Sequence, residues 1–66
     1  MDYTIMIRYC NVDNIYVAKI QELEGCMAHG YTPEEAVKEI QIAMKLWLDA
    51  AREENIPIPK PMAYVS

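Results

Sequence analysis

Several residue types are scarce in this 66-residue chain, and each scarcity removes a class of function. One histidine, His29, and two cysteines, Cys10 and Cys26, are too few for a four-ligand zinc set, and two cysteines make no disulfide framework. The two thiols read as buried or half-buried groups in a reduced cytoplasm. Two glycines, Gly25 and Gly30, are too few and wrongly spaced for a phosphate-cradling loop. Six Lys+Arg stand against ten Asp+Glu, giving a net charge of -4. The six cations are scattered, so no basic patch is set to neutralise phosphates, and direct binding of nucleic acid is not expected. Five tyrosines could stack bases on a sheet, but without a cationic field they read better as core and interface packing. No apolar run approaches the roughly 18 residues of a membrane span. The N-terminus, MDYTIMIRY, lacks the basic, apolar and cleavage regions of a secretion signal. A cytoplasmic protein without a membrane partner is expected.

What is present is apolar material. It makes up 53% of the chain, enough for a core and against disorder. A chain this short buries only about 60% of its unfolded surface, so one domain over residues 1–66 is expected, with a gain from homo-oligomerisation.

The stretch Leu23 to Ala36, LEGCMAHGYTPEEA, organises the rest. Thr32 suits the N-cap of a helix, Pro33 its first position, and Glu35 can reach back to the Thr32 N–H to close a capping box. Glu34 and Glu35 place negative charge at the positive end of the helix dipole. Just before, Gly25 and Gly30 bracket Cys26-Met27-Ala28-His29, a short strand with a glycine turn at each end.

Along the chain, Tyr3 to Tyr9 reads as a first strand, with Tyr3, Ile5, Ile7 and Tyr9 on one face and Thr4, Met6 and Arg8 on the other. Met6 keeps that second face partly apolar. Cys10 to Asn14 supplies turn formers, and Ile15 to Ile20 a second strand antiparallel to the first. On it Tyr16, Ala18 and Ile20 share one face, and Ile15, Val17 and Lys19 the other. Gln21 to Gly25 is a polar turn with Leu23 anchoring it inward. The helix runs from Pro33 to about Glu54 on the stripe Val37, Ile40, Met44, Trp47, Ala51, widened by Ala36, Ala43 and Leu48. Leu46 lies off the stripe and could serve an oligomer contact. Asn55 can end the helix in a left-handed conformation. Ile56 to Pro61 alternates proline and must be extended, and Met62 to Val65 has strand composition again. This segment reads either as an arm reaching a neighbouring subunit or as a frayed tail. The expected fold is α+β: a meander over 1–30, a helix over 32–55, and a Pro-rich arm with a possible short fourth strand over 56–66.

No catalytic constellation stands out. Cys26 and His29 are three apart in a strand, so their side chains point to opposite faces. Cys10 could meet His29 only if the sheet order joins their strands. The carboxylates of Asp13, Glu22 and Glu24 lie in turns, with nothing to converge them on an ion. Neither an enzyme nor a metal or cofactor is expected.

The linked motifs Tyr16-Val17-Ala18, Leu23-x-Gly25-Cys26-x-Ala28-x-Gly30, Thr32-Pro33-Glu34-Glu35-Ala36, and Trp47-Leu48 leading to Ile58-Pro59-x-Pro61 closely resemble the HicB-like antitoxin family over roughly residues 3 to 61. The resemblance implies a β-β-β-α-β domain likened to a partially degraded ribonuclease H fold without its catalytic carboxylates. It implies a partner as well: a small basic HicA-like toxin with a double-stranded-RNA-binding fold that cleaves mRNA, occluded by the antitoxin. Many members add a C-terminal DNA-binding domain; after the short stretch that follows the proline arm, none is expected here. The expected function is a non-catalytic antitoxin, with Asp13, Glu22 and Glu24 as toxin-interface candidates and a homodimer or homotetramer as the assembly. The alternative is a standalone homo-oligomeric module that binds another protein or a small ligand. A residual hydrolase is a third reading.

Overall fold

A computed structural model of the chain describes residues 3–60. Three strands, β1 (Ile5–Cys10), β2 (Ile15–Ile20) and β3 (Met27–Gly30), form an antiparallel sheet in the order β1-β2-β3, followed by one helix, α1 (Pro33–Glu53). This is the expected small α+β meander-plus-helix architecture. The possible fourth strand at Met62–Val65 lies outside the described residues.

The strand limits differ slightly from the sequence expectation, each time for a hydrogen-bonding reason. The first strand starts at Ile5 rather than Tyr3, because the Thr4 N–H and hydroxyl both donate to the Glu22 carboxylate, at 2.8 and 3.0 Å. It runs on through Cys10, which pairs with Ile15. The loop is therefore the four residues 11–14, and Asn14 takes a left-handed φ of 54°. Its side-chain Oδ1 accepts from the Tyr9 hydroxyl at 2.9 Å, which stiffens the hairpin tip. The third strand is shifted by one, to Met27–Gly30, because the Cys26 N–H is spent on the Leu23 carbonyl in a tight turn while Gly30 pairs with Tyr16.

Register divides the sheet into two faces. Ile5, Ile7 and Tyr9 oppose Ile20, Ala18 and Tyr16, and Ala18 opposes Ala28; this face meets α1. Leu23 and Cys26 from the β2–β3 connection and Ala36 and Ile40 from α1 complete a core with Ala18 and Ile20. The helical stripe behaves as expected, with Ala36, Ile40 and Ala51 buried and Val37, Ala43, Met44, Trp47 and Leu48 half-buried. Burying side chains such as Ile20, Leu23 and Ile40 contributes about 1.5–3 kcal/mol each. The Trp47 indole N–H donates to the Glu24 carbonyl at 3.0 Å and ties the helix to that turn.

The helix ends are built by local chemistry. Thr32 caps through its hydroxyl, which accepts from the Glu35 N–H at 3.0 Å. The Glu35 carboxylate reaches back one residue further than the usual capping box: it accepts from the Tyr31 N–H at 2.8 Å, not from Thr32. At the other end Asn55 has a φ of 56°, the Ile56 N–H bonds the Ala51 carbonyl and the Asn55 N–H the Arg52 carbonyl. That is a Schellman stop with Asn in the left-handed position. The proline arm then returns to its own chain, since the Tyr3 hydroxyl donates to the Pro59 carbonyl at 2.6 Å.

The two glycines have different duties. Gly25 has a φ of +79° and supplies the turn. Gly30 ends β3 under the helix N-terminus, where a Cβ would lie 2.6 Å from the Ala36 nitrogen and 2.8 Å from the Glu35 carbonyl carbon. It is a close-approach glycine that lets α1 sit on the sheet, not a turn glycine.

Candidate functional site: a groove beside the third strand

β3 is an edge strand. Its outer side has no strand neighbour among the described residues, and alternate N–H and C=O groups there lack a ladder partner. Edge strands are usually blunted by proline or by Lys and Glu. Met27-Ala28-His29-Gly30 contains neither.

Beside this edge runs a groove of about 480 Å³. β3 supplies Met27, Ala28 and His29, the connection supplies Tyr31, and α1 supplies Glu35, Glu39, Ile42, Ala43 and Leu46. Glu35, Glu39, Ile42 and Leu46 are spaced 4, 3, 4, so they line one flank of the helix. Four of the lining residues are large apolar side chains left in water: Tyr31 is 76% exposed, Leu46 64%, Met27 57% and Ile42 50%. Such residues scattered singly would need no explanation, but gathered along one groove they form a surface that a partner can cover. Two carboxylates stand on its helix wall. Glu35 is held by its capping bond to Tyr31, and Glu39 is exposed. The groove therefore combines an apolar floor, negative charge and an unpaired strand edge. Those properties suit an extended or helical segment carrying basic residues.

The acidic residues expected at an interface are not brought together. Asp13 sits in the β1–β2 loop, while Glu22 and Glu24 sit in the β2–β3 connection. The six residues of β2 separate the two loops by about 20 Å. Glu22 is committed to Thr4 through both carboxylate oxygens and so closes the fold around the start of β1. Glu24 exposes its side chain while its carbonyl receives Trp47. None of the three lines the groove.

The sheet order also places Cys10 and His29 on strands with β2 between them. That is roughly 10 Å laterally, out of hydrogen-bond reach. Cys26 is buried, and burial pushes its thiol pKa upward, the opposite of an activated nucleophile. Among the described residues no group of three or more His, Cys, Asp or Glu is placed to hold a metal ion, and no helix is long and apolar enough to cross a membrane. Tyr9 and Tyr16 pack with each other, ring centres 5.0 Å apart and tilted by 59°, on the helix side of the sheet.

The groove is not legible in the sequence: Leu46 lies off the main stripe, but no local pattern joins it to both Ile42 and Tyr31. The available signal was the pair Ile42 and Leu46, four apart and both outside the main apolar stripe.

No family model matches the chain, and no solved structure matches it. Among curated proteins, the chain is 38% identical over 66 residues to a UPF0150 protein of Synechocystis, covering all of this chain and 89% of that protein. It is 34% identical over 59 residues to a second Synechocystis UPF0150 protein, covering 89% of this chain and 73% of the relative. It is also 32% identical over 63 residues to a UPF0150 protein of Thermoplasma acidophilum, covering 96% and 90%. None of these names carries an activity, a ligand or a partner. Whole-length identity at this level places the chain in a family: it belongs to the UPF0150 proteins.

Proposed function

We infer that this protein is a non-catalytic, HicB-like antitoxin that binds a small basic HicA-like mRNA-cleaving toxin and occludes it. The observation that carries the reading is the β3–α1 groove: apolar, walled by Glu35 and Glu39, and open along a strand edge, in a chain of net charge -4. A basic partner gains from this charge in encounter rate, and from the apolar floor in residence time. The strand order and the helix are those that the HicB-like resemblance implies.

The test uses the full chain and a purified HicA-like ribonuclease. Wild-type protein should form a stoichiometric complex and suppress RNA cleavage. Leu46→Asp removes an exposed side chain, so the fold should survive, and dissociation should accelerate by about tenfold or more. Glu39→Lys should mainly slow association, and the effect should fade at high salt. Inhibition unchanged by both substitutions would remove the groove from the interface. Asp13→Lys and Glu24→Lys test the two loops separately. Glu22 is left out of that series because changing it also releases Thr4. Recovery of self-assemblies alone, with no ribonuclease bound, would favour the standalone module instead.

A further inference from the structure

The face of the sheet turned away from α1 has a composition unlike the rest of the molecule. Register assigns to it Met6, Arg8 and Cys10 of β1, Ile15, Val17 and Lys19 of β2, and Met27 and His29 of β3. It holds two of the six Lys+Arg and no carboxylate, which leaves four Lys+Arg against ten acids over the rest of the sequence. It also holds a hollow of about 260 Å³, lined by Met6, Ile7, Arg8, Val17, Lys19 and Met27. Its lining is mixed: Met6 and Met27, each half or more exposed, flank Lys19 on one rung of the sheet, and Arg8 stands beside Val17 on the other.

No aromatic residue lies on this face, because Tyr9 and Tyr16 are assigned to the other one. That disfavours single-stranded nucleic acid, which needs stacking platforms. A direct superposition of two such faces is also disfavoured, because Arg8 and Lys19 would meet their own copies. The occupant must bring an apolar group with a carboxylate beside it.

The chain carries such a group. Val12 at the tip of the β1–β2 hairpin is 84% exposed, more than any other large apolar residue described, and Asp13 is its neighbour. The tip is held in shape by the left-handed Asn14 and the Tyr9 hydrogen bond, so little ordering entropy is lost on docking. The tip and the Met6–Lys19–Met27 rung lie at opposite ends of the strands. In a dimer whose two-fold axis crosses the face midway, each tip would meet the hollow of the other copy, and both contacts would form at once and close the assembly.

We propose that the open sheet face is a self-association surface in which the Val12–Asp13 hairpin tip of a second copy fills the hollow between Met6, Val17 and Met27, with Asp13 against Arg8 and Lys19. The hollow shares Met27 with the groove but none of the groove's helix wall, and its test needs no toxin.

The experiment is sedimentation equilibrium of the full chain over a micromolar concentration series, with circular dichroism to confirm that each variant is folded. Wild type should show twice the 7.6 kDa chain mass. Val12→Asp, at an exposed tip where the fold should tolerate it, should weaken the dimer by about tenfold or more. Asp13→Lys alone and the Arg8→Glu/Lys19→Glu pair alone should each sediment as monomers. Mixed in equal amounts, those two variants should recover the dimer mass, because every tip then meets a hollow of opposite charge. A monomeric wild type, a dimer indifferent to Val12→Asp, or a mixture that stays monomeric would each overturn the proposal. A dimer lost only on deleting residues 57–66 would assign the assembly to the proline arm instead. A monomer that binds phosphatidylglycerol vesicles or single-stranded RNA through Arg8 and Lys19 would assign the face to a polyanion.

Discussion

The two faces of the sheet are made of the same three strands, yet they reached different states. On the helix side, Ala18 and Ile20 are fully buried under Ala36 and Ile40. On the other side Met6 and Met27 stand in water beside Arg8 and Lys19. Alternation along each strand decides which residue goes where, since neighbours point to opposite faces. What separates the faces is the partner: one helix covers one of them, and nothing among the described residues covers the other. Stability should therefore reside almost wholly on the helix side, leaving the open side free to vary for association.

That contrast can be broken by mutation. Ile40→Ala empties the centre of the covered face and should cost about 2–5 kcal/mol, measured by urea unfolding. A domain of this size holds only about 3–10 kcal/mol in total, so partial unfolding at room temperature is the expected outcome. Val17→Ala on the open face, measured at dilutions where the chain is monomeric, should cost under about 1 kcal/mol, because its side chain is only half-buried. A larger loss at concentrations where the dimer forms would show that the open face is covered there.

Gly30→Ala comes next. Its Cβ would press on backbone atoms of Glu35 and Ala36, which yield only if α1 shifts, and the expected cost is about 1–3 kcal/mol. Gly25→Ala meets no atoms and is opposed only by its positive φ, so it should cost less, about 1 kcal/mol. Thr32→Ala removes the N-cap acceptor for Glu35 and should cost about 1 kcal/mol, read in the same unfolding experiment.

The smallest effect sharpens the contrast through pH. Burial raises the Cys26 thiol pKa in the folded chain. Its contribution to stability is then complete below the ordinary thiol pKa, and is lost as pH rises through the raised folded value, because the unfolded thiol ionises first. The stability gap between wild type and Cys26→Ala should narrow, or change in favour of the variant, as pH rises above the ordinary thiol pKa of about 8.5. Iodoacetamide should modify Cys26 slowly in the native protein and rapidly in urea.

Much of the fold was legible because its signals are local. The cap at Thr32, the stop at Asn55, the turn at Gly25 and the inward Leu23 each follow from one residue's conformational preferences, and each stands in the structure. The shifts of one or two residues at the limits of β1 and β3 were not legible, because they depend on the long-range bonds of Thr4 to Glu22 and the pairing of Gly30 with Tyr16. The candidate surfaces were the least legible. Asp13, Glu22 and Glu24 are alike as exposed turn acids in sequence, but one of them turned out to clamp the start of the sheet.

By itself the sequence determined the order of strands and helix, the helix's two ends, and the alternation that sorts apolar from charged residues. These follow from backbone preferences and from periods of two and of 3.6 residues, which need no knowledge of distant neighbours. The tertiary structure alone decided that Gly30 is a seat for the helix, that Glu22 is spent on Thr4, and that Tyr31, Ile42 and Leu46 share a groove with the edge of β3. Each of those depends on two segments meeting in space. The meeting is set by how closely α1 can approach the sheet, a distance that no local pattern encodes.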